Sequence, residues 1–172
     1  MNDPKLLIVF ASRYGQTEKI ARRIAAIAGP AARVVSIADA DDIHIEEFDA
    51  LIVAGGVYFG RHDRRLEDFV RRKLGVISTV EAAFISVSGS ANESYVHEFA
   101  RRTGWVPELH ATFHGGEPYT KYGFFVRWMM RSIARRHGRK VDVHRDYEFT
   151  DWASVDRFGR DFLGYVSVKR SA

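Results

Sequence analysis

Leu6-Leu7-Ile8-Val9-Phe10-Ala11-Ser12-Arg13-Tyr14-Gly15-Gln16-Thr17 passes from an unbroken apolar run into a loop of small and polar residues. Apolar residues in succession, without polar alternation, read as a strand buried on both faces. The loop feeds a helix over Gln16–Ala28, with Ile20, Ile24 and Ile27 at helical spacing and Gly29-Pro30 to stop it. A buried strand, a short loop and an amphipathic helix form the opening half of a βαβ unit.

The same alternation continues along the chain. Arg33–Ile37 reads as a second strand, Asp39–Asp42 as a turn, and Ile43–Phe48 as a short helix at most. Leu51–Ala54 is a third strand, ending at Gly55-Gly56, and Arg64–Leu74 a helix with Leu66, Phe69, Val70 and Leu74 on one side. Ala82–Val87 is a fourth strand, followed by the polar loop Ser88–Ser94 and a helix over Tyr95–Arg102. Leu109–His114 is a fifth strand, ending at Gly115-Gly116. Phe124–His137 reads as a helix, and Thr150 as the cap of a last helix with Trp152, Val155, Phe158 and Phe162 on one face. Strands alternating with helices give an α/β fold with a parallel sheet, whose ligands bind at the carboxyl ends of the strands. Those ends are the loops after Phe10, Ala54, Val87 and His114.

The 172 residues are 46% hydrophobic and 28% charged, which suits one domain spanning 1–172 and excludes a disordered or low-complexity chain. The absence of cysteine excludes disulfides, iron–sulfur clusters, zinc–thiolate sites and cysteine nucleophiles. No apolar run approaches the roughly 18 residues of a spanning helix. The run at Leu6–Phe10 is too short for a signal-peptide core. The expectation is a cytoplasmic chain.

Net charge is +4, yet residues 118–141 hold no acidic residue and seven basic ones, which leaves the remainder at −3. At 100° per residue, Arg127, Arg131 and Arg135 share one stripe of the Phe124–His137 helix, flanked by Phe124 and Trp128. Phe125, Val126, Met129, Met130 and Ile133 fall opposite. Arg127, Trp128, Arg131 and Arg135 are therefore candidate contacts for an anionic partner, foremost a membrane surface. A helix packed on its own domain with a solvated basic face has the same pattern. No nucleic-acid module is present, and nucleic acid is not expected as a partner.

The first loop has the makings of a phosphate site. A helix start offers unpaired N–H groups and the positive end of the dipole. Gly15 permits a tight turn, Ser12 and Thr17 bring hydroxyls, and Arg13 adds charge. An ordinary turn capped by Ser12 or Thr17 reads the same way on position alone. The turn has no G-x-G-x-x-G, and Arg61-His62 follows Gly55–Gly60 where a triphosphate loop needs Lys-Ser/Thr. Tyr58 and Phe59, set between Gly56 and Gly60, are either core aromatics or the wall of a planar ligand. Arg61 and His62 are candidate contacts to a substrate carboxylate or to a reduced cofactor, or part of a solvated loop. His110 and His114 lie about 13 Å apart along a strand, too far to share one metal ion, and no metal is expected.

Ser12-x-x-Gly15-x-Thr17 after the first strand resembles the FMN phosphate loop of flavodoxins. Gly56-Val57-Tyr58-Phe59-Gly60 and Ser88-Gly89-Ser90 lie where flavodoxin-like proteins hold the isoalloxazine ring. Gly115-Gly116, Tyr119-x-x-Tyr122, the basic helix and Phe149-Thr150-Asp151-Trp152 are similar to the quinone-linked protoporphyrinogen IX dehydrogenases, flavodoxin-like enzymes of haem biosynthesis. Those enzymes carry a longer polar insertion after the fourth strand, where this chain has only Ser88–Ser94.

The resemblance implies a three-layer sandwich with a five-stranded parallel sheet in the order 2-1-3-4-5. It implies FMN held by Ser12, Arg13, Tyr14, Gly15, Gln16, Thr17, Gly56, Val57, Tyr58, Phe59, Gly60, Ser88, Gly89 and Ser90. It also implies a porphyrinogen donor and a quinone acceptor; the basic aromatic helix adds the expectation of peripheral contact with the cytoplasmic face of a membrane. The redox step then belongs to the flavin and not to a side chain. A flavodoxin-like electron carrier, or a non-catalytic membrane-binding module with a degenerate flavin site, are the other readings.

Overall fold

A computed structural model describes residues 4–171. Five parallel strands form: β1 (Leu6–Ala11), β2 (Ala32–Ser36), β3 (Ala50–Tyr58), β4 (Glu81–Ser88) and β5 (Leu109–His114). They are hydrogen-bonded in the order β2-β1-β3-β4-β5, as expected. The helices are α1 (Gln16–Ala28), α2 (Arg64–Ile77), α3 (Ser94–Thr103), α4 (Phe124–Arg136) and α5 (Trp152–Ser171).

Successive side chains of a strand face opposite sides, so a strand that is apolar throughout needs cover on both faces. Leu7, Val9, Leu51, Val53 and Phe84 pack toward Leu66 and Phe69 of α2 and Val96 and Phe99 of α3. Leu6, Ile8, Phe10, Ile52 and Ile85 pack toward Ile20 and Ile24 of α1 and Val155, Phe162 and Val166 of α5. Phe84 stacks on Phe99 with ring centroids 4.1 Å apart, and each such buried aromatic contributes about 2–3 kcal/mol.

Register brings the carboxyl ends together. Ala11 is level with Gly55, Gly56 with Val87, and Ser88 with His114. The loops after β1, β3, β4 and β5 therefore open at one edge of the sheet.

β3 does not end at Gly55-Gly56. It continues to Tyr58 and folds back through a hairpin to Arg61–His62, pairing Val57 with His62 and Tyr58 with Arg61. A second departure follows β5. Residues 115–151 leave the sheet, form the turn Tyr119–Lys121 and then α4, and return to pair Tyr147–Glu148 with Gly116–Glu117. Single-strand periodicity does not reveal either ladder, because each spans two residues.

The cap of α5 also differs from expectation. Asp151, not Thr150, accepts from the N–H groups of Ala153 (3.0 Å) and Ser154 (3.2 Å). Thr150 spends its hydroxyl elsewhere, donating to the His114 carbonyl at 2.7 Å and accepting from Gln16 Nε2 at 2.8 Å. Asp151→Ala should therefore lower the unfolding free energy by about 1 kcal/mol and speed amide exchange in the first turn of α5. Faster exchange there in Thr150→Ala but not in Asp151→Ala would reverse the assignment.

Candidate functional site

The loop after β1 is held open by its own side chains. Gly15 has φ +98°, a conformation that costs other residues about 1 kcal/mol or more. Its N–H donates to Ser12 Oγ at 3.0 Å, and its carbonyl accepts from Lys19 N–H, also at 3.0 Å. That is the first bond of α1, so the N–H groups of Gln16, Thr17 and Glu18 precede any intrahelical acceptor. The Arg13 N–H donates to the Tyr58 hydroxyl at 2.8 Å, tying this loop to the β3 hairpin.

The hairpin turn has two consecutive left-handed residues, Phe59 (φ 50°) and Gly60 (φ 77°). This is the geometry of a two-residue hairpin, which favours Asn-Gly or Gly-Gly. Phenylalanine is strained there, and it is 68% exposed. Neither local conformation nor core packing accounts for an aromatic ring at this position.

Gly55 and Gly56 are required by close approach. A Cβ at Gly55 would lie 2.8 Å from His62 Cδ2, and one at Gly56 would lie 2.8 Å from the Tyr58 hydroxyl and 2.9 Å from Thr17 Oγ1.

A cavity of about 350 Å³ opens at this edge, within the usual size range of small-molecule sites. Tyr14, Gln16 and Thr17 line it from the first loop and α1, Gly56–Phe59 from the hairpin, and Val87–Gly89 from the end of β4. Nine of the fourteen expected cofactor residues thus meet in one cavity. Ser12, Arg13, Gly15, Gly60 and Ser90 do not line it. Ser12 and Gly15 shape the loop, Gly60 completes the hairpin turn, and Ser90 is exposed.

Ser88 lines the cavity, and its buried Oγ has no hydrogen-bond partner among the described residues. A buried hydroxyl left unsatisfied costs about 1–3 kcal/mol, so a polar ligand atom is its natural partner.

The far wall comes from residues 115–151; the loop after His114 is an expected part of this edge, whereas α4 as a wall of the cavity is not. Gly116, Lys121, Tyr122, Tyr147 and Glu148 line it, together with Val126, Met129, Met130 and Ile133 of α4. The apolar stripe of α4 therefore faces the cavity and not the core, and only Ala134 of that helix is buried. Burial, with the Glu117 charge behind it, raises the Tyr122 hydroxyl well above the ordinary tyrosine range and keeps it protonated.

Arg61 and His62 were candidate substrate contacts, and the structure turns both away. His62 is only 4% exposed, with Nε2 3.1 Å from Ser86 Oγ and its ring edge-on to Phe84 and Phe99. Alternation along the hairpin sends His62 behind the sheet while Tyr58 and Phe59 stay at the cavity. Burial lowers its pKa to about 4, so it is neutral at physiological pH. Arg61 is committed to the buried Glu67 of α2 at 2.6 Å. Arg127, a candidate membrane contact, donates to the carbonyls of Tyr119 (3.0 Å) and Tyr122 (3.1 Å). Trp128, Arg131 and Arg135 are exposed.

This arrangement fits a mononucleotide carrying a planar ring. The residues that can hold a phosphate sit at the start of α1, and the aromatic hairpin and the Val87–Gly89 loop flank the space beside it.

The comparisons agree. A flavodoxin domain model matches residues 7–144, and the chain belongs to that family, whose cofactor is FMN. It is 26% identical over 169 residues to protoporphyrinogen IX dehydrogenase (quinone) of Escherichia coli (strain K12), covering 91% of this chain and 93% of that protein. The Leishmania major protein of the same name is 26% identical over 172 residues, covering 92% and 74%. Among solved structures, a flavodoxin from the domain Archaea matches with TM-score 0.56 and 16% identity, covering 94% and 98% of the two chains. Oxidised flavodoxin 1 from Bacillus cereus matches with TM-score 0.52 and 17% identity, covering 93% and 97%.

Two measurements check this geometry. Asn accepts a left-handed backbone better than Phe, so Phe59→Asn should raise the urea-unfolding free energy of the ligand-free protein by about 1 kcal/mol. No gain would mean that Phe59 is not strained. His62 binds its proton more weakly folded than unfolded, so its contribution is present above about pH 6.5 and is lost toward about pH 4. That loss is on the order of 3 kcal/mol, and the slope should flatten in His62→Phe. An unchanged slope would place the acid sensitivity elsewhere.

Proposed function

We propose that the protein is an FMN-dependent, quinone-linked dehydrogenase whose electron donor is a porphyrinogen of the protoporphyrinogen IX type. The observation that carries this reading is the double lining of the cavity. Flavin-loop residues Thr17, Tyr58 and Ser88 share it with Val126, Met129, Met130 and Ile133 of α4. A carrier that only shuttles electrons needs the first set. The second adds an apolar slot beside the cofactor space, suited to a bulky, largely apolar ring system. The names of the two relatives support the same donor and acceptor class.

The chain's residues divide the work. The N–H groups at the start of α1 and the Ser12–Thr17 loop hold the phosphate. The main chain of Gly56–Phe59 and Val87–Gly89 flanks the ring, with Phe59 at its edge and Ser88 Oγ available to a ring polar atom. FMN held there would supply two-electron redox chemistry between the donor and the quinone. The α4 wall orients the donor and excludes water. The acid-free segment 118–141 favours propionate-bearing substrates by charge.

The exposed Phe124, Phe125 and Trp128, with Arg131 and Arg135, suit an anionic membrane surface from which a quinone is drawn. Among the described residues no helix is long and apolar enough to cross a membrane, so the contact in this reading is peripheral.

Anaerobic mixing of the FMN-loaded protein with protoporphyrinogen should bleach the flavin absorbance, and an added quinone should restore it. Met129→Glu should lower kcat/KM for the porphyrinogen more than about tenfold while leaving FMN affinity within about twofold. Flavin that stays oxidised in the presence of porphyrinogen would contradict the donor assignment.

A further inference from the structure

Lys121 lies in the excursion after β5, yet its ammonium reaches the loop after β1. Nζ donates to the Tyr14 carbonyl at 3.1 Å, across 107 positions of sequence, and lies 3.9 Å from where a Gly15 Cβ would be. An ammonium has three donors, and the Tyr14 carbonyl takes one. Among the described residues no carboxylate stands within salt-bridge distance of it. Lys19, also at the cavity, is engaged with Glu148 at 2.8 Å.

The turn that presents Lys121 is fixed on three sides. Tyr119 is fully buried, both the N–H and the hydroxyl of Thr120 donate to Asp146 (2.9 and 2.8 Å), and Arg127 binds the carbonyls of Tyr119 and Tyr122. Asp146 is near enough to feel the Lys121 charge but makes no ion pair with it, so a long side chain on a rigid turn beside a nest of N–H groups keeps donors for an anion.

We propose that Lys121 binds the terminal phosphate of FMN and that this contact clamps residues 115–151 over the cofactor. The inference rests on the FMN site described above and extends it. The phosphate is held from two distant parts of the chain, so cofactor binding and closure of the α4 wall are one event.

The test compares FMN with riboflavin, which shares the ring and lacks the phosphate. Titration of the apoprotein by flavin fluorescence quenching should show Lys121→Gln weakening FMN about 10- to 100-fold while riboflavin changes by less than about twofold. Lys121→Arg should retain most of the FMN affinity. Raising NaCl from about 0.05 to about 0.5 M should weaken FMN binding to the wild type more than to Lys121→Gln. Hydrogen exchange across residues 119–136 should slow on FMN addition in the wild type and not in Lys121→Gln. Equal loss for FMN and riboflavin, or no loss for FMN, would overturn the phosphate contact. A wild-type protein that binds neither flavin would overturn the FMN site itself.

Discussion

The structure is organised around a few N–H groups at the start of α1. Gln16, Thr17 and Glu18 precede the first intrahelical acceptor, and Gly15 turns into the left-handed region to aim the helix start at the cavity. Buried backbone donors demand partners. Ser12 and Tyr58 satisfy neighbouring N–H groups of the loop with their hydroxyls, which holds its shape without filling the helix mouth. The parallel sheet fixes this mouth level with the ends of β3 and β4, so a phosphate bound there sets the reach of whatever ring it carries. The glycines at 55 and 56 follow from the same constraint, since side chains there would collide with His62, Tyr58 and Thr17.

The excursion after β5 turns this binding edge into a cavity. It is fastened at both ends. Thr150 bridges His114 and Gln16, and Glu148 pairs with Lys19, while Arg139 holds Glu117 through two 3.0 Å bonds. These are mostly exposed polar contacts, each worth little alone. Together they hold α4 across the opening with its apolar side inward. A segment secured in this way can respond to what lies beneath it, whereas one buried in the core could not.

Much of the fold was legible in the sequence because the dominant force leaves a pattern. Unbroken apolar runs located β1, β3 and β4, the alternation of strands with helices located β2 and β5, and Ile20, Ile24 and Ile27 with Gly29-Pro30 located α1 to the residue. The loops after β1, β3 and β4 followed from topology, and nine expected cofactor residues meet where those loops converge. What failed was side-chain direction. His62 sits in a loop that suggests exposure, but a two-residue ladder too short to leave a periodic signal rotates it behind the sheet. Thr150 and Asp151 are both good caps, and only the tertiary demand of His114 and Gln16 on the threonine separates them. The apolar stripe of α4 was visible, but a stripe does not say whether it faces a core, a membrane or a cavity.

The central claim is that the N–H groups opening α1 hold the phosphate of FMN. Two-dimensional amide NMR of the apoprotein during FMN titration tests it most directly. The account predicts downfield shifts of the Gln16, Thr17 and Glu18 amide protons that saturate at one equivalent of FMN. Amides there that stay fixed while FMN moves signals elsewhere would contradict it.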